Sequence, residues 1–288
     1  MEMSQLAEDP ALTVVPQCGD APCSCNGGKG AAPQSFVYAL GRIEPRFPRI
    51  SVERELAQAI GRDQTSGLTD REALHHVLSN PANRYLVRQL CWVLTIEGLE
   101  TYLLQPRNPQ DYDLLVEALR PTPRLTDVDV VIGYRGPVAG PEVCNGLMVP
   151  IVLFDQIYSF SVDQLLDAVP RPEGVEEDRY RASLEEVFSH VRQIADNAGA
   201  SDDHRALNYL AVRYPAIYTK TAECHERSSS LASLEVRPST LGTTRRIVDV
   251  IFTYTHRTTD VAEKYFTRVD VTDEFPFLTT KLSPYFDR

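Results

Sequence analysis

Two segments near the end of the chain, RIVDVIFTYTH and KYFTRVDVT, constrain the fold most, because both are long and both alternate apolar with polar residues. They cover residues 246–256 and 264–272. A period of two is typical of strands with one buried face. The short connection RTTDVA favours antiparallel pairing in a hairpin. This hairpin needs other apolar elements to cover it, since two strands alone are only marginally stable in water.

Further strand patterns lie upstream, separated by blocks of helical pattern. Residues 36–40 and 127–134 alternate apolar with other residues, and MVPIVLF at 148–154 reads as a more buried strand interrupted by Pro150. The order is strand, helices, strands, helices, hairpin. We therefore predict an α+β fold, with mixed helices, a largely antiparallel sheet and a C-terminal β-hairpin.

Helix starts are marked by capping residues. Thr69 and Glu72 form a capping-box pattern, and Ser201 precedes two acids at the start of another apolar stripe. Asn108 and Pro109 supply a cap and a first-turn proline. The segment NRYLVRQLCWVLT also has helical spacing, which would place Cys91 on a buried helix face as a small hydrophobe.

Composition narrows the classes of partner and compartment. The 288 residues carry a net charge of −11 without a basic stripe, so nucleic acid is not an expected partner. No apolar run is long enough to span a bilayer, and the acidic N-terminus does not resemble a signal peptide. We therefore expect a cytoplasmic protein whose cysteines are thiols or metal ligands instead of structural disulfides.

We expect two parts along the chain. Residues 1–34 have little apolar periodicity and are rich in cysteine, glycine and other small residues, which predicts a flexible arm. Residues 35–288 carry the strand and helix patterns, which predicts a single domain.

The cysteines suggest a metal site. Cys18, Cys23 and Cys25 would give zinc three thiolate ligands, and Cys144, in a loop rich in proline and glycine, would give a fourth. Cys91 is the alternative ligand from the body. The opposite interpretation, a linker whose cysteines bind nothing, stays open. Cys144 would also suit a thiol nucleophile, but the sequence places no base beside it.

Other reactive side chains have simple structural explanations. His204 follows two acids at a helix start, where capping accounts for the pattern, and we predict that it is not a catalytic base. The sequence contains no G-x-S-x-G, H-E-x-x-H or P-loop signature, and no G-x-G-x-x-G follows a strand. We therefore assign no catalytic residue. We interpret the following as surface, solvated or turn residues: Cys224 with His225, His75 with His76, and Glu97 with Glu100.

Several long motifs resemble one known family. They include FVYALGRIEPRFPRISVERELAQA, LTDVDVVIGYRGPVAGPEVCNGLMVPIVLFDQIYSF, DNAGASDDHRALNYLAVRYPAIY and IVDVIFTYTHRTTDVAEKYFTRVDVTDEFPFLTTKLSPYFDR. Together they resemble the C-terminal domain of the patellamide-type cyanobactin maturation proteases over residues 35–288. In those multidomain proteins the domain follows a subtilisin-like protease, whose catalytic motifs have no match here. The resemblance places CSCNGG at the position of the preceding linker.

The resemblance implies a role in making ribosomally produced, post-translationally modified peptides. We expect a non-catalytic accessory module that binds a precursor peptide or a maturation enzyme and is stabilised by zinc. One alternative is a zinc- or thiol-dependent enzyme acting on such a peptide. Another is a structural dimerisation domain that forms a homodimer.

Overall fold

Strands and helices follow one another in blocks, as the sequence pattern indicates. The computed structural model describes residues 35–62, 65–168, 176–192, 196–240 and 244–286. The strands are β1 (Phe36–Arg46), β2 (Cys91–Ile96), β3 (Leu99–Pro106), β4 (Asp127–Val138), β5 (Pro150–Ser161), β6 (Ser229–Pro238), β7 (Ile247–His256), β8 (Ala262–Asp270) and β9 (Phe277–Pro284). The helices are α1 (Ile50–Arg62), α2 (Asp70–Ser79), α3 (Arg84–Gln89), α4 (Tyr112–Ala118), α5 (Val162–Ala168), α6 (Glu177–Arg192), α7 (Asp202–Arg213) and α8 (Ala216–Glu226). The predicted α+β class is confirmed.

The first five strands close into a barrel in the order β1-β2-β3-β5-β4. Neighbouring strands are antiparallel, except that β3 and β5 run parallel. Helices α1 to α3 lie in the connection between β1 and β2, and α4 lies between β3 and β4. A five-stranded barrel in which one strand pair is parallel and the others are antiparallel resembles the OB-fold architecture. Closure of the barrel leaves no strand edge unpaired.

One glycine permits the bend that closes the barrel. The pairing of β4 with β5 shifts register between Ile132 and Gly133. A Cβ atom at Gly133 would overlap the backbone oxygen of Leu153. Only glycine allows the two backbones to approach this closely, as is common where a barrel strand bends.

Strand β1 is buried on both faces and therefore joins two apolar cores. Val37 and Ala39 belong to the core inside the barrel, which α1 to α4 help to close. Tyr38 and Leu40 point the other way, into a core shared with α6, α7, α8 and the C-terminal sheet. Successive side chains of a strand face opposite sides, so this arrangement needs the continuous apolar run that β1 has.

The C-terminal sheet has the order β6-β7-β8-β9, and all its pairs are antiparallel. The predicted hairpin is confirmed as β7 and β8, with Thr255 opposite Ala262 at its closed end. Val248, Val250 and Phe252 of β7 are buried in the core shared with the helices. This core supplies the cover that the hairpin requires.

Capping residues mark the helix ends as the sequence indicates. Thr69 and Glu72 form the predicted capping box of α2, and the Ser201 side chain caps α7. The helix predicted for NRYLVRQLCWVLT, residues 83–95, is wrong in its second half, because α3 ends at Gln89 and β2 begins at Cys91. Pairing of β2 with both β1 and β3 outweighs the local helical spacing.

Candidate functional site

A cavity of about 350 Å³ opens between the outer face of the barrel, α7 and the loop that follows β8. We call it the tyrosine pocket. Its walls are Tyr38 of β1, Ile132 of β4, Tyr209 and Arg213 of α7, and Phe275 and Pro276 of the loop. A concave, largely apolar surface with few polar groups is the common form of a binding site for a small molecule or a side chain.

One residue that lines the tyrosine pocket has a buried polar atom without a well-formed hydrogen bond. Tyr38 is only 2% exposed, and its hydroxyl group forms no hydrogen bond of good geometry among the described residues, although the Arg213 side chain is close to it. Burial raises the pKa of Tyr38 to about 12, against a smaller opposing effect of the Arg213 guanidinium. The phenol therefore stays protonated at physiological pH. A buried hydroxyl without a partner costs free energy, which a bound acceptor would recover.

Aromatic rings pack against both polar side chains of the pocket, Tyr38 and Arg213. The Tyr209 ring packs edge-on against Tyr38, with 6.3 Å between ring centroids. The guanidinium of Arg213 lies over the Tyr158 ring, 4.6 Å from its centroid. This cation–π contact holds the guanidinium close to Tyr38, and its five N–H donors leave it able to donate to a ligand as well.

A buried arginine fixes the loop wall of the pocket. Arg205 of α7 is 1% exposed, and it donates to two backbone carbonyl oxygens: from Nη1 to that of Val271 at 2.7 Å and from Nη2 to that of Glu274 at 3.2 Å. It also donates to the backbone carbonyl oxygen of Asp273. Its guanidinium carbon lies over the Phe36 ring, 5.1 Å from the ring centroid. Burial lowers its pKa to about 10, so it remains charged near neutral pH. The loop is thus tied to the barrel and to α7.

Backbone contacts fix α7 to β1 on the other side. The Asn208 side chain donates to the backbone carbonyl oxygen of Tyr38 at 2.8 Å, and the backbone N–H of Tyr38 donates to the carbonyl oxygen of Gly199 at 2.9 Å. Gly199 has a φ of +70°, and a Cβ atom there would overlap the β1 backbone. The pocket is therefore built on a rigid frame, which favours recognition over rearrangement.

A carboxyl pair lies next to the pocket, at the residue before Phe275. Glu274 is 9% exposed and interacts with Asp155 and Tyr134. Arg107 donates from Nη1 to both carboxylate oxygens of Asp155, at 3.0 and 2.8 Å. Burial, followed by the nearby Asp155, raises the pKa of Glu274 to about 7. Glu274 can therefore change its charge near neutral pH.

The cysteines differ from the sequence expectation. Cys91 and Cys144 form a disulfide with 6.0 Å between their Cα atoms, where thiols or metal ligands were expected. Both sulfurs lie in a small apolar core with Val93 and Leu103 on the outside of the barrel. Sequence spacing gives no sign that residues 53 positions apart become neighbours, because barrel closure brings them together.

The predicted zinc ligands do not form a site in the described part of the chain. Cys18, Cys23 and Cys25 lie outside the described residues. Cys144 is bonded to Cys91 and presents no thiolate in this oxidised form. Among the described residues, no group of three or more histidine, cysteine, aspartate and glutamate side chains is placed to hold a metal.

Two other sequence interpretations have different outcomes. Cys224 is 1% exposed and packs in the core, so its interpretation as a surface residue is wrong. Its neighbour His225 contacts the Glu186 carboxylate. His204 lies in the first turn of α7, where its backbone N–H donates to Ser201 Oγ at 3.2 Å and burial lowers its pKa. Ser201 thus caps this turn as predicted.

Sequence reasoning did not find the tyrosine pocket. Tyr38 belongs to a predicted strand and Tyr209 to a predicted helix, but nothing in their spacing indicates that they meet. The feature of the sequence that could have indicated this pocket is Arg213, a charged residue at the end of the mainly apolar face of α7. A cation beside aromatic residues is compatible with a binding surface, although it is common elsewhere.

These features define an α+β protein in which a closed barrel and an antiparallel sheet share helices, with a tyrosine-lined pocket beside α7. The family models described as PatG Domain and PatG C-terminal match residues 36–222 and 174–285. The chain belongs to this PatG domain family, which confirms the resemblance predicted from its sequence.

One solved structure, described as "PatG Domain of Unknown Function", shares this fold. Its TM-score is 0.71 at 21% sequence identity, and the alignment covers 87% of this chain and 98% of that one. No curated protein shows significant similarity to the chain. In the part of the chain that the structure describes, no helix is long and apolar enough to cross a membrane.

Proposed function

We propose that this chain is a non-catalytic accessory module in the biosynthesis of ribosomally made, post-translationally modified peptides. In this proposal it binds the precursor peptide through the tyrosine pocket. The observation that carries the proposal is the buried hydroxyl of Tyr38, which lines an aromatic cavity and forms no hydrogen bond of good geometry among the described residues. The resemblance to cyanobactin maturation proteases supplies the biosynthetic context.

The composition of the pocket supports a peptide ligand. Tyrosine and arginine are enriched where proteins bind other chains, because each combines apolar contact area with hydrogen-bond donors. Phe275 is 45% exposed at the edge of the pocket, and Phe277 is 47% exposed two residues later. They extend the apolar surface beyond the cavity, as an extended peptide requires.

Calorimetric titration of the full chain with a synthetic precursor peptide of this biosynthetic class tests the proposal. We expect binding, and we expect Tyr209→Ala to weaken it by about tenfold, because the variant removes one aromatic wall. Arg88→Gln is the matched surface control: Arg88 also lies over an aromatic ring, that of Tyr112, but on α3. The proposal fails when the peptide does not bind, or when both variants bind it as the wild type does.

Three further expectations stay predictions: zinc binding, a cytoplasmic location, and the alternative roles as an enzyme or a dimerisation domain. A zinc site or a thiol enzyme centred on Cys144 requires reduction of the disulfide with Cys91. Disulfides are also rare in reducing compartments, so fractionation of cells must test the predicted cytoplasmic location. Homodimer formation is a separate prediction, which light scattering of the purified chain would check.

A further inference from the structure

We propose that the tyrosine pocket binds a carboxylate group of a peptide, with Arg213 and Tyr38 as its donors. This inference deepens the proposed function and rests on it. It names the chemical group that the pocket selects, and it assigns a specificity-determining role to each of the two residues.

The charge around the pocket points to an anion. Arg213 is the one charged residue among the six that line the cavity. Within the described part of the chain, its contacts are with Tyr158 and Tyr38, and no carboxylate pairs with it. The protein carries 40 acidic residues against 29 basic ones. In so acidic a chain, an arginine held on aromatic rings without a described acidic partner offers its donors to a ligand.

Tyr38 adds a neutral donor close to this cation. Its hydroxyl is buried and protonated, and it forms no hydrogen bond of good geometry in the described structure, although the Arg213 side chain is close to it. The guanidinium of Arg213 acts electrostatically on the same phenol, so the two groups are near each other. A carboxylate has two oxygens and accepts from several donors at once, so it can satisfy the phenol while it pairs with the arginine.

The remaining walls suit the apolar body that carries the carboxylate. Ile132, Phe275 and Pro276 present apolar atoms to the cavity. Its volume of about 350 Å³ fits one or two residues of a peptide. Glu274, the acid next to Phe275, interacts with Asp155 and Tyr134 and is not among the lining residues.

The test compares three peptides, each labelled at the N-terminus with a BODIPY dye that carries no free carboxylate, binding to the full chain in fluorescence polarisation. One is Ser-Gly-Ser-Gly-Phe with a free C-terminal carboxylate, and the second is the same peptide with a C-terminal amide. The third is Ser-Gly-Glu-Gly-Phe with a C-terminal amide, which carries its carboxylate on a side chain. Binding of the first alone assigns a terminal carboxylate, and binding of the third as well assigns either source.

Variants connect the effect to the two donors. We expect Arg213→Gln to weaken binding of the free carboxylate peptide by about tenfold or more, the loss expected for a charge-assisted contact. Tyr38→Phe should weaken it by about threefold to tenfold and leave the fold intact, since only one oxygen is removed. Arg88→Gln, an equal change of charge on α3, should have no effect.

The outcomes separate this inference from the proposed function. Equal affinity for the acid and amide peptides, or no binding by any of the three, overturns the carboxylate assignment. So does full affinity in Arg213→Gln. If the precursor peptide still binds and depends on Tyr209, peptide binding stands without carboxylate selection. If the precursor peptide also fails to bind, both proposals fall.

Discussion

Glu274 shows how burial beside another acid makes one residue sensitive to pH. Its pKa rises from 4.5 to about 7, chiefly because burial disfavours the charged form and secondly because Asp155 is near. One of its carboxylate oxygens is buried without a hydrogen-bond partner in the described structure. The Glu274 carboxyl therefore binds its proton more tightly in the folded protein than in the unfolded chain.

The first prediction concerns this carboxyl pair. A raised pKa in the folded state stabilises the protein below about pH 4.5, and this contribution is lost as the pH rises through about 7. We expect Glu274→Gln to remove this component of the pH dependence and to raise the free energy of unfolding at pH 8 by about 1–2 kcal/mol. Urea denaturation between about pH 5 and about pH 8 measures both effects, because this range spans most of the titration of Glu274.

The control for this prediction is Glu117→Gln on α4, which changes the same chemical group elsewhere in the chain. Its pH profile should match that of the wild type. Parallel profiles for Glu274→Gln and the wild type would show that the buried carboxyl does not titrate differently in the folded and unfolded states.

At the scale of elements, the loop between β4 and β5 is fixed to the barrel by the disulfide. Cys144 lies in this loop and Cys91 begins β2, and Ala139, Val93 and Leu103 pack around them. The bond closes a chain segment of 53 residues, so it restricts the unfolded chain considerably. The loop therefore covers the outer face of β2 and β3 while the bond is intact.

We predict that this bond contributes about 2–4 kcal/mol to the free energy of unfolding, in line with bonds that close loops of this length. The Cys91→Ala, Cys144→Ala double variant should be less stable than the oxidised wild type by this amount. Dithiothreitol should lower the stability of the wild type to a similar level. Chemical denaturation measures each sample. A double variant that still responds to dithiothreitol would attribute the effect to another cysteine.

The elements that could be predicted from sequence are those with local signals. Thr69 and Ser201 mark helix starts through their own side chains, and β7 and β8 show a regular alternation that predicts a one-sided hairpin. Strand β2 has no such signal, because its first four residues are all buried. Its apolar run fits a helix equally well, and only pairing with β1 and β3 decides between them.

At the scale of the whole molecule, contacts between distant segments also form the tyrosine pocket, so no local sequence pattern indicates it. Tyr38 and Arg213 lie on elements far apart in sequence, and Phe275 comes from a third. They meet because β1 contributes one face to the barrel core and the other to the core shared with α7 and the C-terminal sheet. Local pattern predicts each element, but the site depends on how two cores share one strand.

The last prediction concerns zinc, which would join the N-terminal cysteines to this body. Cys18, Cys23 and Cys25 leave one position of a tetrahedral site open, and only reduction of the bond to Cys91 makes the Cys144 thiolate available. We therefore predict zinc binding by the reduced chain and none through Cys144 in the oxidised chain. Metal content of the purified protein, measured with and without a reductant, checks the first point. The triple variant Cys18→Ser, Cys23→Ser, Cys25→Ser should lose the metal; equal zinc in wild type and variant would place the metal away from the arm, and no zinc in the reduced wild type would remove the site.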